Sequence, residues 1–221
     1  MKVSKKKPFP YYPAFLNLHG KKCVVIGGGQ VALRKVHMLL ECGAHVSLIS
    51  PTLHPELEGL AKAKVIRIKR RDYRRGDLKN ARVVIAATDV NNVNHAVARE
   101  AKVLKALVNV VDDSKPSDFI VPSFFRRGGL TIAISTGGMS PALAKKIRTR
   151  LEKDFGNEYP SFLSLIEEVR SQLKQKRITV TAETWQKALD LDRLIDLIRK
   201  GQPNEAKDVL LKKLIEKRPE I

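Results

Sequence analysis

Three consecutive glycines, Gly27 to Gly29, are the feature that most restricts the fold of this chain. They follow the apolar run Cys23 to Ile26 and lead into Val31 to Glu41, where apolar residues recur on one helical face. Gly43, just past that helical stretch, is a typical C-cap residue. A short strand, a glycine turn and an amphipathic helix together predict the start of a βαβ unit.

Further apolar runs rich in Val and Ile follow, with helical stretches between them. Each run is almost continuously apolar, as expected for a parallel strand that is buried on both faces of a sheet. Another helix is predicted after Asn91 and Asn92, with Val93, Ala96 and Val97 facing inward. The alternation predicts an α/β fold with a Rossmann-type parallel sheet. Its predicted strands are Cys23 to Ile26, Val46 to Ile49, Val65 to Ile68, Val83 to Ala87 and Leu107 to Val111.

The pattern changes after residue 112. Two β-like runs, Phe119 to Val121 and Leu130 to Ser135, are followed by Ser140 and Pro141, a favourable pair of helix-start residues. Beyond them, apolar residues recur at helical spacing to the end of the chain. The sheet is therefore expected to be followed by a small β-containing region and a helical C-terminal domain. The predicted domains are residues 1–112, 113–150 and 151–221.

The chain is strongly basic, with 42 Lys and Arg against 23 Asp and Glu and a formal net charge of +19. The basic residues are scattered over the whole length, whereas a nucleic-acid-binding arm would concentrate them, so we expect no nucleic-acid partner. Three interpretations of the charge stay open: a solvated surface, attraction of a polyanionic small molecule, and adaptation to a hot environment.

Several other classes of protein are not expected. No apolar stretch approaches the roughly 20 residues of a membrane helix, and Pro8, Pro10 and Pro13 interrupt the basic N-terminus, unlike a secretion signal. We therefore expect a cytoplasmic protein with no membrane partner. Cys23 and Cys42 do not have the number or spacing of a disulfide framework or a zinc site, and the histidines are dispersed, so no permanent metal site is expected.

The glycines fit the GxGxxA pattern of dinucleotide-binding turns at Gly27, Gly29 and Ala32. Gly27 permits the tight turn, Gly29 lets the backbone approach a pyrophosphate, and Ala32 lets the helix pack on the strand. Backbone amides at the helix N-terminus then face the anion. The pattern predicts a dinucleotide site, although a glycine turn can also serve packing alone.

Two more strand ends are expected to line the same cofactor crevice. The second strand is followed by Ser50 and Thr52, which can bond a ribose without excluding a phosphate, so NAD and NADP both stay open. Ala87 and Thr88 follow a later strand at the same edge of the sheet. The alternative for this segment is an ordinary strand end with Asp89 as a helix cap.

Four motifs lie in order along the chain: GGGQVALRK (27–35), AATDVNNVN (86–94), NVVDDSKPSDFIVPS (109–123) and STGGMSPALAKKIR (135–148). Together they resemble the precorrin-2 dehydrogenase and sirohydrochlorin ferrochelatase family, which forms the N-terminal module of siroheme synthases. The resemblance extends to about residue 155 and is weaker beyond it. It implies oxidation of precorrin-2 to sirohydrochlorin with NAD and, in bifunctional members, insertion of ferrous iron to give siroheme. The tail resembles the dimerisation and substrate-side helices of that family, which implies a homodimer.

The resemblance also assigns roles to individual residues. Asp112, in the NVVD motif, matches the residue regarded as the catalytic acid/base. Gln30 with Val31, and Pro51 with Thr52, match cofactor-contacting positions. The complete set of predicted cofactor-binding residues is Gly27, Gly28, Gly29, Gln30, Val31, Ser50, Pro51, Thr52, Ala87 and Thr88.

Asp112 suits this chemistry because hydride removal leaves a cation that must lose a proton. It follows the carboxyl end of the predicted strand Leu107 to Val111, at the edge where open α/β sheets bind ligands. Chelation also requires the removal of N–H protons, so one carboxylate can serve both reactions. From the residues alone, a turn or cap role beside Asp113 and Ser114 competes with this one.

Precorrin-2 carries many carboxylates, so basic residues around the STGGMSP turn are candidates for substrate contact, with a solvated helix face as the alternative. These candidates are Arg126, Arg127, Lys145, Lys146 and Arg148. The predicted substrate-binding residues are Ser123, Thr136, Lys145 and Arg148. Some family members have a serine where this chain has Thr136, so the regulatory modification attributed to that serine is not expected here.

Two other classes of protein compete with an enzyme. A nucleotide-sensing Rossmann domain that regulates a transporter or channel without catalysis explains the glycine turn equally well. It does not explain the motif at 109–123 or the helical tail. A basic nucleic-acid-associated protein is the other class, and its binding would fall steeply with ionic strength.

Overall fold

The structure is a computed structural model, and it describes residues 11–216. Its first strands are β1 (Lys22–Ile26), β2 (His45–Ile49), β3 (Arg67–Lys69), β4 (Val83–Ala86) and β5 (Leu107–Val110). They form a five-stranded parallel sheet in the order β3-β2-β1-β4-β5. This arrangement confirms the predicted Rossmann-type sheet. It also aligns Ile26 with Ile49 and Ala86, so the carboxyl ends of β1, β2 and β4 share one edge.

Helices cover both faces of this sheet. They are α1 (Gln30–Glu41), α2 (Pro55–Lys62) and α3 (Asn91–Val103). Successive strand residues point to opposite faces, so Val25 packs with Val36 of α1, whereas Val24 packs with Val97 of α3. The near-continuous apolar character of the strands therefore reflects two cores, one on each side.

Two details of the predicted elements differ from the structure. Val65 is 49% exposed, and β3 is the later, edge strand Arg67–Lys69, of which only one side chain turns partly inward. On α3 the fully buried residues include Asn94 and Ala98, while Val93 and Ala96 are only half-buried. A buried asparagine in a helix is unexpected from an apolar pattern and has a specific role, described below.

The predicted strand Phe119 to Val121 is wrong, because no strand lies there. Phe119 instead packs against the core that contains α1, and its carbonyl accepts a hydrogen bond from Asn109 Nδ2 at 3.0 Å. The strand begins two residues later, as β6 (Ser123–Arg127), and pairs with β7 (Leu130–Ile134) in an antiparallel hairpin.

The helix α4 (Pro141–Asp154) follows the hairpin and confirms the predicted start. Ser140 Oγ accepts a hydrogen bond from the Leu143 N–H at 3.2 Å, and Pro141 occupies the first turn, where its missing N–H is not needed. The later helices are α5 (Glu158–Gln175), α6 (Ala182–Ala188), α7 (Leu191–Arg199) and α8 (Pro203–Glu216). Their core includes Phe162, Val169 and Leu194, whereas Leu191 is 49% exposed at the start of α7.

The chain divides into two compact units, with the boundary between Val121 and Pro122. The three-part division at residues 112 and 150 stays a prediction. Within residues 11–216, no helix is long and apolar enough to cross a membrane. The same part of the chain contains no group of three or more His, Cys, Asp or Glu side chains able to hold a metal ion.

Candidate functional site

Gly27 ends β1 in a conformation that other residues rarely adopt, with φ at 117°. A Cβ atom added there would overlap the carbonyl oxygen of Ala87. The Ala87 N–H also donates a hydrogen bond to the Ile26 carbonyl at 2.8 Å. The glycine turn and the segment after β4 are therefore in direct main-chain contact, and only glycine permits it.

Gly28 brings the segment after β2 against the same turn. Its carbonyl accepts a hydrogen bond from the His54 N–H at 2.7 Å, and an added Cβ would overlap the Thr52 carbonyl oxygen. The backbone from Ser50 to His54 is thus folded over the glycine turn. The predicted cofactor residues Gly27, Gly28, Thr52 and Ala87 are brought together by these contacts.

Gly29 is the N-cap of α1, and the space around it is open: an added Cβ would meet nothing within 4 Å. Among the described residues, no side chain caps this helix, and its first turn contains no acidic residue. The first-turn amides, which belong to Gln30, Val31 and their neighbours, are therefore without an acceptor side chain in the described chain. This arrangement fits an anionic diphosphate, because helix N-termini favour negative charge.

The end of β2 offers hydroxyl and backbone groups and no carboxylate. Ser50 is buried, and its hydroxyl donates a hydrogen bond to the Thr52 carbonyl at 2.7 Å. Pro51 and Thr52 are exposed. The Ser50 hydroxyl proton is thus used to shape the segment, and Thr52 is the side chain that remains available to a ribose.

The end of β4 is organised by Asn94, a residue that the sequence argument missed. Asn94 is 5% exposed, and its amide nitrogen donates to the Thr88 carbonyl at 2.8 Å. Its amide oxygen accepts from the Thr88 hydroxyl at 2.8 Å and from the Thr88 N–H at 3.3 Å. The alternative for this segment, with Asp89 as a helix cap, is not what the structure has: the N-cap of α3 is Val90, and no side chain caps it within the described chain.

Asp112 lies just beyond β5, in a turn closed by the Asp113 N–H and the Val110 carbonyl at 3.3 Å. Its φ is 61°, in the left-handed region that Asp tolerates but glycine prefers. The side chain is exposed, and no hydrogen-bond donor in the described part of the chain reaches its carboxylate. The Asp112 carboxylate is therefore open to a ligand as far as the described residues are concerned.

The residues that follow Asp112 make the turn contacts that the sequence also allowed for Asp112 itself. Asp113 Oδ1 accepts from the Lys115 N–H at 3.0 Å. Along the free edge of β5, Ser117 Oγ accepts from the Val110 N–H at 2.9 Å, and Asp118 Oδ2 accepts from the Val108 N–H at 3.0 Å. These side chains replace a sixth strand, so the turn role belongs to them and not to Asp112.

One ammonium group is within electrostatic range of Asp112. Lys35 lies on α1 and is half-buried. Burial lowers the pKa of its ammonium, the charge of Arg34 lowers it further, and the Asp112 carboxylate acts in the opposite direction. The Asp112 carboxylate thus favours the charged form of the Lys35 ammonium.

The predicted substrate-binding residues all lie in the second unit. Ser123 opposes Ile134 across the hairpin. Thr136 Oγ1 accepts a hydrogen bond from the Ser140 N–H at 2.9 Å and so shapes the turn before α4. Lys145 is exposed on α4, and Arg148 forms an ion pair with Glu152 at 3.0 Å.

Arg127, one of the basic candidates, supports the second unit internally. Its Nε donates to the Phe155 carbonyl at 3.0 Å, and its guanidinium lies over the Phe125 ring, 5.4 Å from the centroid. Of the predicted basic candidates, Arg127 and Arg148 are therefore already engaged by the protein, and so is Arg126, whose guanidinium lies over the Phe124 ring, 5.0 Å from the centroid.

Comparisons with known proteins agree with this geometry. A family model described as "Putative NAD(P)-binding" matches residues 14–123, and one described as "Sirohaem biosynthesis protein central" matches residues 127–153. The siroheme synthase of Nitrosococcus oceani is 37% identical over 202 residues, which are 90% of this chain and 43% of that protein. The siroheme synthase of Methylobacillus flagellatus is 42% identical over 165 residues, 74% of this chain and 35% of that protein. The chain thus spans less than half the length of these relatives.

Among solved structures, "SirC, precorrin-2 dehydrogenase" superposes with a TM-score of 0.70 at 28% identity. The match covers 91% of this chain and 100% of that one. It confirms the α/β fold with a parallel sheet, a small antiparallel hairpin and C-terminal helices. The two family models together cover most of the chain up to residue 153. On these grounds the chain belongs to the family of siroheme synthases and precorrin-2 dehydrogenases.

Proposed function

We propose that this chain is an NAD-dependent dehydrogenase that oxidises precorrin-2 to sirohydrochlorin. The observation that carries the proposal is the unpartnered Asp112 carboxylate at the ligand-binding edge of a sheet whose glycine turn is built for a dinucleotide. The match to a precorrin-2 dehydrogenase along that protein's entire length supports it. The siroheme synthases support a role in siroheme synthesis, although this chain matches only 43% of the length of the relative from Nitrosococcus oceani.

The reaction removes a hydride from a carbon and a proton from its neighbour. NAD, when bound, supplies the hydride acceptor, and the products are sirohydrochlorin, NADH and one proton. The residues at the glycine turn would hold the diphosphate, with the backbone around Thr52 and Ala87 closing either side. The carboxylate of Asp112 would take the proton, since no donor of the described chain occupies it.

Lys35 supports Asp112 in this role. Its ammonium is coupled electrostatically to the Asp112 carboxylate, which favours the charged form of Lys35 against the effect of burial. The excess of basic residues would attract a polycarboxylate substrate. Ser123, Thr136, Lys145 and Arg148 remain our proposed substrate contacts, with Arg148 having to exchange its Glu152 partner for the substrate.

Three finer expectations belong to the same proposal. The first is a homodimer, and the second is that ferrous iron is a second substrate, inserted into sirohydrochlorin to give siroheme. The third is a cytoplasmic location. The proteins compared above are siroheme synthases and a precorrin-2 dehydrogenase, and they give the transporter-regulating alternative no support.

The test follows the reduction of NAD by its absorbance in the presence of precorrin-2, with the unaltered protein and with Asp112→Asn. The amide keeps the shape of the side chain and tolerates the same backbone conformation, but it cannot take the proton. We expect a loss of turnover by about 10² to 10⁴-fold, with the Kd of NAD nearly unchanged. Asp113→Asn is the matched control and should retain activity, because its side-chain oxygen can still accept from the Lys115 N–H. Full activity of Asp112→Asn would refute the assigned role, and absence of any NAD reduction by the unaltered protein would refute the function.

A further inference from the structure

Asn94 is the buried polar side chain of α3, and its hydrogen bonds all go to one residue. Both ends of its amide bind Thr88: the nitrogen donates to the Thr88 carbonyl, and the oxygen accepts from the Thr88 N–H and hydroxyl. Thr88 is seated at the carboxyl end of β4, between Ala87 and the start of the helix. A buried asparagine that is fully used in this way fixes the backbone of the residue it holds.

The position of Thr88 matters because of its neighbour Ala87. The Ala87 carbonyl is in contact with the Gly27 backbone, at the point where any side chain on Gly27 would overlap it. The Ala87 N–H is bonded to the carbonyl of Ile26. The glycine turn and the segment after β4 are the two walls of the cofactor crevice, so the residue that fixes Thr88 also fixes the distance between these walls.

Besides the hydrogen bond from the Ala87 N–H to the Ile26 carbonyl, the described residues offer one side chain that bonds Thr88, and it is Asn94. The helix α3 begins without a side-chain cap and without an acidic residue in its first turn. The Thr88 hydroxyl additionally accepts from the Val90 N–H at 3.2 Å, a contact that is local to the same turn. Asn94 is therefore the link between this segment and the rigid part of the helix.

We propose that Asn94 is a positioning residue for the nicotinamide cofactor: it holds Thr88 and Ala87 at the distance from the glycine turn that NAD binding requires. The inference rests on the proposed dinucleotide site and adds a residue that touches no cofactor atom itself. It also changes the role of Thr88, whose N–H, carbonyl and hydroxyl are used within the protein. Thr88 then contributes to the site by the position of its backbone and not by hydrogen bonds to the cofactor.

The experiment measures the Kd of NAD by isothermal titration calorimetry on the full chain, together with the thermal stability of each variant. Asn94→Ala removes the three hydrogen bonds to Thr88, and we expect the Kd to rise at least about tenfold at a temperature where the variant is folded. Val97→Ala is the matched control: it shortens a fully buried side chain one turn along the same helix without touching Thr88. It should lower the melting temperature and leave the Kd unchanged.

A second substitution separates the two ends of the amide. Asn94→Asp retains an acceptor for the Thr88 N–H and hydroxyl but places a negative oxygen beside the Thr88 carbonyl, so the Kd should rise as well. If Asn94→Ala and Val97→Ala lose stability alike and both bind NAD as tightly as the unaltered protein, Asn94 is only a structural residue and the proposal is overturned. If the unaltered protein does not bind NAD, the proposed function fails together with it.

Discussion

Replacing Asp112 with glycine separates the stability of the fold from its chemistry. At a φ of 61°, an ordinary L-residue is strained by about 1–2 kcal/mol, and glycine is not. Glycine also gives the unfolded chain more freedom, which offsets about 0.4–1 kcal/mol of that gain. We therefore expect Asp112→Gly to be more stable than Asp112→Ala by roughly 1 kcal/mol.

Both variants should lose dehydrogenation, because neither side chain can take a proton. The unusual combination is that the more stable of two substitutions is as inactive as the less stable one. Urea denaturation without cofactor measures the stability difference, and NAD reduction with precorrin-2 measures turnover. The change lies in the first compact unit, so a probe of that unit should be followed instead of the signal of the complete chain.

Either of two results would refute this reasoning. If Asp112→Gly were less stable than Asp112→Ala, the backbone at position 112 would not be strained, because both variants lack the Asp112 carboxylate and differ only in their backbone preference. If Asp112→Gly retained turnover, the carboxylate would not be the base. Asp112→Asn distinguishes these cases, since Asn tolerates the left-handed region but accepts no proton from the substrate.

Three further changes test other parts of the first unit. Gly28→Ala should abolish measurable NAD binding, because its Cβ would overlap the Thr52 carbonyl and displace the segment after β2. The control is Gly59→Ala, where an added Cβ meets nothing within 4 Å, and calorimetry should give an unchanged Kd of NAD for it. Thr52→Asp puts a carboxylate at the end of β2, where it would repel the additional phosphate of NADP. The Kd of NADP should therefore rise on the order of tenfold more than the Kd of NAD. Equal changes in the two Kd values would contradict the placement of the ribose beside Thr52. Hydrogen bonds from Arg71 and Lys69 hold the pKa of the buried Asp77 carboxyl well below its usual range, despite the opposing effect of burial. Because the pKa of this carboxyl is lower in the folded than in the unfolded protein, its ionised form stabilises the fold at pH values above the unfolded pKa of about 3.9. Urea denaturation of the unaltered protein and of Asp77→Asn should therefore give the full stability difference at neutral pH and a smaller difference as the pH falls below about 4. A stability difference that is independent of pH would refute the ion pair.

The sheet and its glycine turn could be predicted from the sequence because each depends on local signals. Val24 and Val25 are apolar together only if both faces of the strand are buried, and a triple glycine between a strand and a helix has few structural explanations. The start of α4 was equally local, since Ser140 and Pro141 are adjacent in the chain. Asp112 could be placed because it follows the end of a predictable strand.

The features that were missed depend on contacts between distant parts of the chain. Asn94 looks like a surface residue of a helix until β4 and Thr88 are placed beside it. Phe119 to Val121 has the composition of a strand, but the edge of β5 is already occupied by the side chains of Ser117 and Asp118. A sequence pattern shows whether a segment favours strand conformation. It does not show whether other residues already occupy the sheet edge with which that strand would pair.

The segment after β5 shows how one motif divides its work between stability and chemistry. The side chains of Ser117 and Asp118 close the sheet edge through hydrogen bonds to the backbone of β5. Since the strand and this segment are fastened together at both ends of the loop, the turn at Val110 to Asp113 has little freedom to relax. The strain at Asp112 can therefore persist, because the surrounding bonds determine the backbone more strongly than its own preference does. The side chains of Ser117 and Asp118 therefore hold the Asp112 carboxylate, which no described hydrogen-bond donor reaches, at the edge where a substrate would meet it.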